Sequence, residues 1–339
     1  MKLNSQKRTT MKKAIKLFNL VLPLMVMMQL SVNAQNDNDN NDKKYEFSKT
    51  KNINKSYTVS SSDKLNIKNS FGKVEVHTWD KNEIKVDVNI EVSSNKEDLA
   101  QKILDGITVS DEQTGKEISF KTSMKGNNNN HGDKTSMKVN YSISMPALNP
   151  LYISNEFGAT QLPDYRGEVE LVSKFGSLTT GSLFNAKKID VEFGHANFEG
   201  INNGNISIKY SNGKLGKLSG NIKLNLEFSS SIKMSMDNGL TGLDIKASYS
   251  TFSLKPVGDP SVSYTIFTSF GNFRNRTSLK FESDEGDEDK GPKFDHKYTG
   301  KSGSGSIPIK IKSSFSNIIL GEPEAGDMKE KDKTKKSTA

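Results

Sequence analysis

Apolar and polar positions alternate in short phrases between residues 151 and 252, and each phrase ends on an aromatic residue and a Gly or Ser. The clearest copies are Ile153-Ser-Asn155-Glu-Phe157-Gly158, Leu171-Val-Ser173-Lys-Phe175-Gly176 and Ile189-Asp-Val191-Glu-Phe193-Gly194. Looser copies follow at Ile208-Lys-Tyr210-Ser-Asn212-Gly213, Leu224-Asn-Leu226-Glu-Phe228-Ser229 and Ile245-Lys-Ala247-Ser-Tyr249-Ser250. Outlying copies stand at Ile67-Phe71-Gly72, Ile266-Phe270-Gly271 and Ile311-Phe315-Ser316. Period-two alternation makes each phrase a strand. Its first, third and fifth residues then face inward, and its second and fourth face water.

The phrases start at 153, 171, 189, 208, 224 and 245, in steps of 18, 18, 19, 16 and 21. A period near 20 marks a stacked repeat, in which no unit buries its inner face alone. The expected fold is all-β: a single-stack β-solenoid, or β-helix, with coils of about 18–21 residues, the period these steps set. An antiparallel sandwich of short strands is the competing arrangement. In the solenoid, Phe157, Phe175 and Phe193 are expected to form an inward aromatic spine, with Asn212 the one non-aromatic rung. The Gly after each aromatic supplies positive φ at a sharp corner.

The flanks read differently. Residues 1–34 have a basic start, an apolar run from Leu17 to Leu30, and small residues at Val32-Asn33-Ala34. This is the pattern of a cleavable signal peptide, and the run is shorter than the roughly 20 residues a membrane span needs. Residues 35–44 form a disordered Asn/Asp spacer. A β-rich N-terminal part covers 45–150, with strict alternation from Ile84 to Val92 and one helix over 95–105, capped by Ser94 or Asn95. The solenoid takes 151–320, with a flexible insertion at 283–306, and Ile307 to Leu320 closes the end of the stack. Residues 321–339 are a disordered charged tail.

Composition narrows the functions. The formal charge is +8, but residues 1–34 hold six Lys or Arg and no acid, so the remainder carries only +2. That is no nucleic-acid footprint. The absence of Cys removes disulfides, thiol nucleophiles and Cys-zinc sites. The four His (His77, His131, His195 and His296) never stand at metal-ligand spacing, and the acidic run Asp284 to Asp289 lacks the order of a calcium loop. No cofactor or metal is expected. Trp79, the single Trp, is expected to pack in or cap a core.

Glu156, Asp190, Glu192 and Glu227 face outward and could neighbour one another on adjacent coils, as glycoside hydrolysis requires of a carboxyl pair. Lys174, Lys209 and Lys246 interleave with them at equivalent positions, which suits cross-strand charge pairing instead. No nucleophile elbow, phosphate loop or His-Glu metal motif is present.

The order strand, Phe-Gly, strand, Trp-Asp, alternating strand, short helix, as in Leu65 through Trp79-Asp80 to Val92 and beyond, resembles the putative adhesin family of secreted bacterial β-solenoids, a domain of unknown function. The likeness covers about residues 45–320 and implies an exported protein at the periplasm, outer surface or medium. It transfers no catalytic residue. The reading is a non-catalytic, secreted or envelope-associated protein that presents a polar repeat face to glycan or protein. Lys174, Glu192, Lys209, Glu227 and Lys246 line that face. No nucleic acid partner and no transmembrane span after leader cleavage are expected. The alternatives are an envelope sensor or regulatory scaffold acting through a partner protein, and a polysaccharide-cleaving β-helix enzyme.

Overall fold

The structure is a computed structural model that describes residues 45–125, 133–258, 260–284 and 294–328. The leader, the spacer, most of the acidic run, His131 and the end of the tail lie outside the described residues. The fold is all-β, with 22 strands joined in one hydrogen-bonded sheet and a single helix, α1 (Glu97–Gly106), among the described residues. Helix α1 starts two residues later than expected. Its cap position, Lys96, makes no side-chain cap bond, while the Lys96 N–H donates to Ser94 Oγ at 3.2 Å.

The repeated phrases pair in parallel and in register. Ile153 lies beside Ile67 and Leu171, Leu171 beside Ile189, and Ile189 beside Ile206. The second short strands pair likewise, with Leu178 beside Thr160 and Ala196. Each layer therefore consists of two strands meeting at a corner, and every layer is hydrogen-bonded to the layers above and below. Alternation accounts for the burial. Ile153, Ile189, Ile208, Leu226 and Ile245 are buried, while the residues between them are partly or fully exposed.

Two register expectations are corrected. The fourth phrase begins at Ile206, beside Ile189 and Leu224, and its aromatic is Tyr210. Tyr210 stacks on Phe193 at 4.7 Å and on Phe228 at 5.0 Å, so Asn212 is no rung and the row has no gap there. The Asn212-Gly213 dipeptide imitates the Phe-Gly corner and pulls the sequence reading two residues late.

The strand Ile307–Ser314 does not close the stack. It lies between 243–248 and 262–269, pairing in parallel with both. Its continuation Asn317–Leu320 sits between Thr251–Lys255 and Asn272–Asn275 in the same way. At that end Asp295–Lys301, a strand within the stretch 283–306 expected to be a flexible insertion, runs antiparallel to Val262–Ser269, and Phe281–Ser283 pairs antiparallel on its far side. At the other end Glu117–Met124 continues one sheet and Thr135–Pro146 the other, and antiparallel strands Glu83–Ser94 and Phe47–Thr58 extend the latter.

The aromatic residues do stack, but not in the core. Ten rings follow in the order Phe71, Phe157, Phe175, Phe193, Tyr210, Phe228, Tyr249, Phe315, Phe270, Phe294, at centroid spacings of 4.7–5.0 Å and interplanar angles of 0–18°. They remain 37–54% exposed. The physical reason is the backbone. The nine phrase aromatics have φ between +48° and +63°, and this left-handed turn breaks the alternation and swings the ring out of the corner. The apolar interior consists instead of Ile, Leu and Val, with Phe120, Phe198, Phe252, Tyr141, Tyr165 and Tyr264 fully buried elsewhere.

Because the aromatic takes the positive φ, the glycine after it serves another purpose. A Cβ built on Gly158 would lie 1.8 Å from the Gly72 carbonyl oxygen, and one on Gly176 2.0 Å from that of Gly158. These glycines permit close approach of one layer's backbone to the next.

Candidate binding face

The outward residues of the first strand in each layer form two rows. One row runs Glu156, Lys174, Glu192, Lys209, Glu227, Ser248, Ser314, Ser269. Four of the five residues expected at a binding face are thus brought into one line. Lys246 is not: it stands in the adjoining row, beside Asn225 and Lys312. Lys246 is the second residue of its phrase and Lys174 the fourth, so the two stand in different rows.

The first row is charge-compensated. Lys174 Nζ lies 3.6 Å from Glu192, and Lys209 Nζ lies 3.1 Å from Glu227. A hydrogen bond from Asn225 Nδ2, 2.8 Å long, and the Lys209 ammonium hold the Glu227 carboxyl below its ordinary range, and Glu227 raises Lys209 in return. Further out, Lys187 bonds both Glu168 (3.2 Å) and Glu170 (3.3 Å), and Lys188 bonds Asp190 (2.8 Å). Each of Glu156, Glu192 and Glu227 faces lysines or serine across the layers, and Asp190 faces Val172 and Ser207. No two of these four acids are direct cross-strand neighbours.

The second row changes character along its length. It runs Lys68, Ser154, Val172, Asp190, Ser207, Asn225, then Lys246, Lys312, Phe267, Lys297. Lys246, Lys312 and Lys297 are exposed and have no ion-pair partner among the described residues, and Phe267 is 40% exposed. Lys297 Nζ sits 5.7 Å from the Phe267 ring centroid. These four residues, with His296 and Asp295, line a shallow groove of about 680 Å³. Phe267 is an apolar residue at an outward position of its phrase, and Lys312 comes beside it from a strand much later in the chain.

The opposite sheet carries its own contacts. Trp79 is half-buried, donating from Nε1 to the Glu83 carbonyl at 2.8 Å with Lys81 over its ring, so it braces a turn and does not enter the core. His195 Nδ1 lies 2.5 Å from Asn212 Oδ1. The segment after 321, expected to be without structure, is described as far as Met328 and docks by charge: Glu322 on Lys255 (2.7 Å), Glu324 on Arg276 (2.7 Å), Asp327 on Arg274 (2.5 Å). A backbone hydrogen bond from Glu324 first, then the two guanidiniums, keep the Asp327 carboxyl below its ordinary range. Among the described residues no helix is long and apolar enough to cross a membrane, and no group of three His, Asp or Glu is placed to hold a metal.

No family model and no curated protein matches the chain. Solved structures do. A putative adhesin from Bacteroides fragilis aligns at 13% identity over 80% of this chain and 97% of its own, with a TM-score of 0.40. A putative cell adhesion protein from Clostridium sporogenes aligns at 13% identity over 80% and 99%, with a TM-score of 0.22. A putative lipid binding protein from Parabacteroides distasonis aligns at 12% identity over 80% and 97%, with a TM-score of 0.28. Two of these three carry the adhesion name that the sequence resemblance suggested, and at this level of similarity the likeness assigns no role.

Proposed function

We propose that this chain is a non-catalytic, adhesin-like β-solenoid, exported to the cell envelope or beyond, whose outward polar sheet binds glycan or protein. One observation carries the reading: polar and charged side chains from successive layers stand in straight, hydrogen-bonded register on a single rigid sheet. Such a surface offers many weak, regularly spaced contacts at little ordering cost, and affinity follows from their number. Alternation of acid and lysine in the row Glu156 to Glu227 favours this reading over hydrolysis, which needs two carboxyls facing one bond. The parallel pairing and the aromatic row support the solenoid assignment.

The test is a glycan array combined with whole-cell pull-down, using the chain without residues 1–34. Retention of a glycan or a surface protein is expected, weakened by joint replacement of outward residues from both rows. No retained partner in either format, from several cell types, would sink the proposal. Fractionating cells into medium, periplasm and outer surface tests the address separately.

A further inference from the structure

Within the binding face just proposed, and resting on that proposal, we infer that the groove at Lys246, Lys312, Phe267 and Lys297 is a site for an acidic polysaccharide. Its ligand would carry carboxylate or sulfate groups on sugar rings.

In chain order, 262–269 would stack directly on 243–248. Instead 307–314 lies between them and sets Lys312 beside Lys246. Like charges on neighbouring strands are unfavourable, and farther up the same sheet Lys174 and Lys209 are each matched with an acid. A lysine neighbour alone is tolerated here, as Lys68 beside Lys121 and Lys214 beside Lys233 show. The groove differs in what accompanies the pair. A third lysine, Lys297, and the half-exposed Phe267 ring line the same recess. The acids at its rim, Asp295 opposite Ser269 and Asp284, whose carboxylate accepts the Lys297 backbone N–H at 2.7 Å, offset part of this charge, and three lysines against two carboxylates leave the groove positive.

The shape then selects among anions. A groove of about 680 Å³ is large enough to seat one or more sugar rings. An acidic peptide added as a strand needs a free sheet edge, whereas the strand bearing Lys312 is paired on both sides. A sugar ring has an apolar body for Phe267 and can carry its charge to the lysines on either side.

The experiment is calorimetric titration of the chain with three hexasaccharides of equal length: a uronic acid oligomer, a sulfated oligomer and a neutral glucan. Vesicles containing phosphatidylserine form a fourth arm. At least one acidic oligomer is expected to bind about tenfold more tightly than the neutral one and to weaken as salt is raised. The two acidic arms tell carboxylate from sulfate. Lys246→Gln with Lys312→Gln should cost about tenfold in affinity, and Phe267→Ser several-fold, while Lys214→Gln with Lys233→Gln, an adjacent lysine pair outside this face, leaves binding unchanged. Relief of lysine repulsion should also raise the melting temperature of the Lys246→Gln variant slightly, a readout independent of ligand. Equal loss from both lysine pairs, no loss from the first, or preference for vesicles would overturn the inference. Binding of neutral glycan or protein without acidic oligomers would overturn this site while leaving the broader proposal standing, and no partner of any kind would end both.

Discussion

The corners of this stack are built in two ways. In the early layers the residue after the aromatic is glycine, at Gly72, Gly158, Gly176 and Gly194; in the later ones it is serine, at Ser211, Ser229, Ser250 and Ser316, until the last layer returns to glycine at Gly271. The glycine corners leave no room for a side chain, because the next layer's backbone occupies the Cβ position. The serine corners use theirs. Each backbone N–H donates to the hydroxyl of the next serine, from Ser211 to Ser229 (3.3 Å), Ser229 to Ser250 (3.1 Å) and Ser250 to Ser316 (3.1 Å). Each hydroxyl in turn donates to the carbonyl two residues before it. Where glycine supplies no such group, buried asparagines do so in the first layers: Asn155 Nδ2 donates to the Gly72 carbonyl at 3.0 Å, and Asn69 Nδ2 to Asn155 Oδ1 at 3.1 Å. The same turn is therefore stabilised by close approach in one half and by a hydroxyl relay in the other.

The comparison can be broken by substitution. Gly176→Ala should be the most damaging, since its Cβ would meet backbone that cannot swing aside; a loss of roughly 3 kcal/mol or more is expected by denaturant unfolding. A loss under about 1 kcal/mol would show that the layers can part there.

Next comes the aromatic shared by both halves. Phe175→Ala forfeits two stacked neighbours and should cost about 1–3 kcal/mol, less than a buried phenylalanine would. Phe175→Gly should cost no more than Phe175→Ala, because glycine relieves the positive φ of 54°. A glycine variant clearly worse than alanine would count against backbone strain at the rung.

Ser229→Ala removes the acceptor for the Ser211 N–H and should cost about 1–3 kcal/mol; a neutral outcome would mean that the relay contributes nothing to stability. Smaller again is the pH effect on the outer row. Glu227 titrates below its ordinary range when folded, so its contribution is intact above the unfolded carboxylate value, near 4.3, and is lost as pH falls through the lowered one. Glu227→Gln should flatten the acid limb of a stability profile by a few tenths of a kcal/mol, the scale of surface pairs. Lys174→Ala should fall within roughly 0.5 kcal/mol of the parent.

Much of the fold is legible in the sequence, and what is not has two physical causes. Alternation located the strands, and the repeated phrase gave parallel neighbours that the register bears out for Ile153, Leu171 and Ile189. Alternation predicts side-chain direction only as far as the corner, where a left-handed residue reverses it. Carried past the corner, it puts Phe157, Phe175 and Phe193 inside when they stand half out. The order of the last layers is not the order of the chain, since Ile307–Ser314 lies between 243–248 and 262–269. A signal was present: Phe315 is followed by Ser316, which matches Tyr249-Ser250, whereas Phe270 is followed by Gly271. The groove at Lys246 depends on that exchange of order, which alternation alone does not encode.

The exchange also bears on how the molecule assembles. Synthesis delivers the chain from its N-terminal end, and a stacked repeat can add layers as they arrive. Growth by nearest neighbours halts after Thr251–Lys255, because the residues that come next have no place until Ile307–Leu320 has been made. During that wait the half-built protein shows a bare strand edge, the feature most prone to pairing with another chain. Completion is thus a clasp fastened last, and a ribosome stalled between the two segments would release a product poised to aggregate.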